Sequence, residues 1–144
     1  MMRAALLAGL LAAPLAVSGA PPLALSAAFA VATPPGASAG ALYFTLTNAG
    51  GASATLIEAT SPAAQSLTVH ESTLEGGIAR MRERTLVVAP QGRVTLVPGG
   101  LHLMLMGLAQ PLREGQHIAL RLVFQDGTVL ETTVPVRAPG TVAP

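Results

Sequence analysis

From residue 22 onward, apolar and polar positions alternate in short runs, the pattern of strands that turn one face toward a core. ALYFTLTN (41–48) sets Leu42, Phe44 and Leu46 against Tyr43, Thr45 and Thr47, and Asn48 with Gly50-Gly51 ends the run. The Ala-rich LALSAAFAVA (23–32) precedes it as a first strand, set off by the turn-rich TPPGASAG (33–40). ATLIEATS (54–61) and SLTVHEST (66–73) follow, and Gly76-Gly77 inside LEGGIARM (74–81) marks a hairpin. RTLVVAP (84–90), RVTLVPGG (93–100) and LHLMLMGL (101–108) continue the series. HIALRLVFQDGTVLETTVPV (117–136) reads as two strands about an Asp126-Gly127 turn. LAQPLREGQ (108–116) has room for one helical turn at most. Turn signals recur about every 8–12 residues, so the pattern predicts an all-β sandwich or barrel over residues 21–137. Residues 138–144 are expected to form a flexible tail.

The first twenty residues break the pattern. MMRAALLAGLLAAPLAVSGA has one charge, Arg3, then an apolar run from Ala4 to Val17 interrupted by Gly9 and Pro14. Small residues follow it. This is the layout of a secretory signal peptide over residues 1–20, cut after Ser18 or Ala20, and the run is short for a membrane span. An uncut anchor is the alternative. Either way an exported, periplasmic domain is expected. With no Cys in the chain, the route through a lipid-modified cysteine is closed. Disulfides are closed as well, so packing must hold the fold.

Charge narrows the function. Eight Arg and no Lys stand against seven acids, and charged residues make up only 10% of the chain. That excludes the clustered positive charge on which nucleic-acid affinity rests. An enzyme reading finds no support, because there is no Cys nucleophile, GxSxG, phosphate loop or HExxH. The acids are scattered.

Metal chemistry is the remaining candidate. In LHLMLMGL, Leu101, Leu103 and Leu105 share one face while His102, Met104 and Met106 share the other. His70 is read at a strand end, and Met81 lies eleven residues later across the Gly76-Gly77 hairpin, which can return both side chains to one end of a sheet. Two imidazoles and two thioethers make a soft, neutral ligand set that favours Cu(I) over hard ions or zinc. The same residues also suit a metal-free module in which His102 and Met104 pack beneath a loop, and both readings stay open on spacing alone. His117 follows the Glu114-Gly115 turn and is expected at the surface. Met106 is expected in the core.

The order of these motifs is similar to a known family. ATPPG (32–36), ALYFTLTN (41–48), VHES (69–72), Met81 and PGGLHLMLMGLAQPLREG (98–115) resemble the PCuAC periplasmic copper chaperones, over about residues 23–137. The family pattern is a His, ten residues, a Met, about twenty-one residues, then His-x-Met. Here ten residues separate His70 from Met81 and twenty separate Met81 from His102. Ser72 stands where many members have a second Met, and Val31 where an Arg is common. The resemblance implies a cupredoxin-like Greek-key β-sandwich binding one Cu(I) through His70, Met81, His102 and Met104. It also implies a role as a chaperone carrying copper toward cytochrome c oxidase, directly or through another copper chaperone. A monomer is expected. Copper sequestration without delivery would use the same site.

Overall fold

The computed structural model describes residues 22–140. The expected leader, residues 1–20, lies outside them, as do residues 141–144 of the expected tail.

Ten strands follow in chain order: β1 (Leu23–Val31), β2 (Ala39–Asn48), β3 (Ala54–Thr60), β4 (Ala64–Glu75), β5 (Ile78–Glu83), β6 (Val87–Val88), β7 (Arg93–Thr95), β8 (Leu101–Leu108), β9 (His117–Phe124) and β10 (Val129–Arg137). The hydrogen-bonded order is β5-β4-β8-β2-β1-β10-β9-β3-β6, with β7 also paired to β2. The path folds into a sandwich at β1, whose end pairs in parallel with β10 through Ala30–Val136 and Val31–Arg137.

Period-two alternation sets what each strand buries. Leu67 and Val69 of β4, Leu103 and Leu105 of β8, and Leu42, Phe44 and Leu46 of β2 point inward. They meet Ile118, Leu120, Leu122 and Phe124 of β9 and Val134 and Val136 of β10 in one apolar cluster. With no disulfide, this cluster holds the domain by burial, at about 1.5–3 kcal/mol per fully buried large side chain before entropy is counted. The residues between these core positions on β4 and β8 face the other way.

Two expected strands are shorter than their sequence runs. Residues 84–90 keep only Val87–Val88, and 93–100 keep Arg93–Thr95. Pro90 and Pro98 cannot donate to a ladder, and Gly99 at φ +83° turns the chain. Both hairpins hold. Glu75 pairs with Ile78 about Gly76 and Gly77, at φ +59° and +81°, the type I′ signature that needs two left-handed residues. Val123 pairs with Val129 about the Asp126-Gly127 turn.

Candidate metal centre

The antiparallel pairing of β4 with β8 sets His70 opposite His102 and Thr68 opposite Met104. Directly opposed side chains lie about 4.5–5.5 Å apart at Cβ, so these four residues form the corners of one patch. The two imidazole rings are 6.0 Å apart between centroids and inclined at 44°. On the other side of β4, the hairpin sets Met81 opposite Ser72 and Glu83 opposite His70. Because 68, 70 and 72 share a face of β4, all four expected ligands lie on the outer face of the same sheet. Leu103, between His102 and Met104, is fully buried on the inner face.

Met81, His102 and Met104 line one cavity of about 330 Å³, together with Ser72, Tyr43, Gly99 and the 31–34 segment. His70 does not line it; its ring stands beside that of His102 across the strand pair. His102 is 5% exposed and Met81 49% exposed, so the patch has a closed side at β8 and an open side at the hairpin. Burial pushes the Tyr43 phenol up from its ordinary value.

The ring nitrogens divide their work. His102 Nδ1 lies 3.1 Å from the Gly100 carbonyl oxygen. A carbonyl only accepts, so in the neutral ring Nδ1 carries the proton and Nε2 offers a lone pair. His70 Nε2 lies 2.8 Å from the Thr68 hydroxyl, while its Nδ1 is buried with no hydrogen-bond partner. A buried polar atom left unpaired costs about 1–3 kcal/mol, a cost that a ligand at that nitrogen would remove. The four expected ligands would offer two nitrogens and two sulfurs. Among the described residues, no group of three His, Cys, Asp or Glu is gathered that could hold a metal.

Several expectations need correcting. His70 is interior to a twelve-residue strand rather than at a strand end, because β4 continues past the sandwich to Glu75. Its cross-hairpin partner is Glu83, two positions from Met81. Met106 is 42% exposed rather than core: it sits opposite Ser66 and Ala39 on the outer face, where small residues do not cover it. His117 is exposed at the start of β9, as expected. Thr68 and the Gly100 carbonyl carry no sequence motif that marks them as site residues. Each lies two residues before a His: Thr68 on the same face of β4 as His70, and Gly100 in the turn that leads into β8.

A family model described as "Putative lipoprotein LpqE-like" matches residues 23–136. The chain belongs to the LpqE-like family. This LpqE-like chain is 42% identical over 92 residues to the "Putative lipoprotein Lxx21020" of Leifsonia xyli subsp. xyli, a match covering 62% of the chain. It spans about half the length of that curated relative, 55%. Among solved structures, the copper-bound PCuAC domain from PmoF2 superposes with a TM-score of 0.71 at 21% identity, covering 84% of this chain and 97% of that domain. The Cu(I) form of DR1885 from Deinococcus radiodurans has a TM-score of 0.67 at 33% identity, covering 84% of this chain and 81% of that one. The LpqE-like chain therefore has the PCuAC-type β-sandwich that its motifs resemble.

Proposed function

We propose that this domain is a periplasmic carrier of Cu(I), held as cargo among His70, Met81, His102 and Met104. The observation that supports this best is the His70–His102 pair opposed across β4 and β8, with Met104 and Met81 on the same face. Two neutral imidazoles and two thioethers add no charge to the ion, which favours Cu(I) over Cu(II). The half-exposed Met81 leaves the open side from which an acceptor's Cys, His or Met can enter before the old ligands leave. DR1885, at 33% identity, has been solved with Cu(I), and the PmoF2 domain with copper. The likeness to PCuAC domains supports a chaperone role, with delivery toward the copper centre of cytochrome c oxidase, directly or through a second chaperone. The description of its relatives as lipoproteins supports export.

Titration of the purified domain with Cu(I) against a chromophoric chelator tests the site. A 1:1 complex is expected, with two nitrogen and two sulfur neighbours in X-ray absorption. Unchanged affinity in a chain carrying His70→Ala, Met81→Leu, His102→Ala and Met104→Leu together would overturn it. For delivery, cells lacking the protein should lose copper from cytochrome oxidase; normal oxidase with raised copper sensitivity would point to sequestration instead.

A further inference from the structure

We infer that Thr68 is a positioning residue for this site: its hydroxyl holds the His70 ring so that Nδ1 is the nitrogen offered to the metal, the opposite choice to His102. The inference rests on the Cu(I) reading above and adds a residue to it. Thr68 and His70 are two apart on β4, and the register places them opposite Met104 and His102. Three corners of that patch carry soft ligands. The fourth carries a hydroxyl 2.8 Å from His70 Nε2.

A neutral imidazole has one N–H and one lone pair, and a hydroxyl can either donate or accept. Thr68 alone therefore does not choose the tautomer. The choice comes from Nδ1, which is buried and has no partner in the protein. A proton there would be a buried donor with no acceptor, whereas a lone pair there can bind a metal ion. The consistent arrangement is Nε2–H donating to Thr68 Oγ1, with the Nδ1 lone pair left for copper. His102 reaches the same end by the other route, donating Nδ1–H to the Gly100 carbonyl and keeping Nε2. The β-branched Thr side chain is stiff at χ1, so it fixes the ring plane as well as the proton. A hydroxyl also adds no charge, where a carboxylate in this role would raise ligand basicity and put a negative charge beside the ion.

The test compares Thr68→Val, which keeps the shape and removes the hydroxyl, with Thr68→Ser, which restores it. Long-range ¹H–¹⁵N correlation spectra of the ¹⁵N-labelled domain read each ring's tautomer, and chelator competition reads Cu(I) affinity. In the wild type and Thr68→Ser, His70 should be protonated at Nε2 and His102 at Nδ1. In Thr68→Val, His70 should redistribute between tautomers and Cu(I) affinity should fall about ten- to a hundred-fold. The His102 tautomer should not change. Thr68→Ala should show the same loss, which separates the hydroxyl from any packing effect of Val. Wild-type affinity in Thr68→Val, or metal bound at Nε2 of His70, would overturn the assignment of Thr68. Failure of the wild-type chain to bind Cu(I) would instead overturn the copper reading itself.

Discussion

Replacing Met81 by Leu should separate ligand chemistry from packing, because all six residues of β5 are exposed. Leu conserves volume and apolar character, and Met81 is already 49% exposed. Little buried area changes, so stability should move by less than about 0.5 kcal/mol, or roughly 2 °C in Tm. Copper should respond very differently. One of the two proposed sulfur ligands would be gone, and at least a tenfold loss of affinity is expected, about 1.4 kcal/mol or more. His102→Ala provides the contrast. It empties a site that is 5% exposed and takes away one of the two donors to the Gly100 carbonyl, the Ser72 amide remaining. That should cost roughly 1–3 kcal/mol of stability, about 4–12 °C, in addition to the lost ligand. Scanning calorimetry of the copper-free proteins and chelator competition with Cu(I) read the two effects separately. Wild-type affinity in Met81→Leu would remove Met81 from the site. A fall of more than about 5 °C in the same variant would mean that the hairpin is packed, not free-standing.

Leu103→Ala should destabilise by about 3–5 kcal/mol, since Leu103 is fully buried between two site residues; denaturant unfolding measures it, and a loss below about 1 kcal/mol would place the core elsewhere. Ala27 sits at φ +53° beside the β1 bulge, so Ala27→Gly should raise stability by about 0.5–1 kcal/mol, visible as a Tm a few degrees higher. The Asp126 carboxyl is held below its ordinary 3.8 by hydrogen bonding to Thr128, the backbone amide first and the side chain second. Its native form binds fewer protons than its unfolded form, so its contribution is present above 3.8 and lost as pH falls through the lower native value. Asp126→Asn should therefore flatten the acid limb of a Tm-against-pH curve and leave its slope near neutrality unchanged.

The sequence pattern is enough to place the β4–β5 and β9–β10 hairpins, because Gly76-Gly77 and Asp126-Gly127 encode turn geometry locally. It also shows that Leu103 and Leu105 go inward while His102 and Met104 go outward. It does not show how deep each outward residue lies. His102 is buried because the 98–100 turn and neighbouring strands close over it, and Met106 is open because its cross-strand neighbours are Ser66 and Ala39. Both facts depend on partners distant in the chain. The role of Thr68 is hidden in the sequence for a related reason: Thr is an ordinary outer-face strand residue, and only the folded strand brings the ring nitrogen beside it.

The two-glycine turn between β4 and β5 has a consequence for how this chain can change length. With Glu75 and Ile78 paired across it, side chains along β5 alternate strictly between faces. Arg80 and Arg82 occupy the opposite face, tied by ion pairs to Glu75. Deleting one residue between the turn and Met81 would turn the thioether away from the proposed copper site and bring a guanidinium toward it. The ten-residue interval from His70 to Met81 is therefore locked by parity, and only changes in pairs can survive in it. The interval from Met81 to His102 crosses two very short strands and the turns at 89–92 and 97–100, where no single register runs throughout. A one-residue difference there is tolerable, and there this chain has twenty residues instead of about twenty-one.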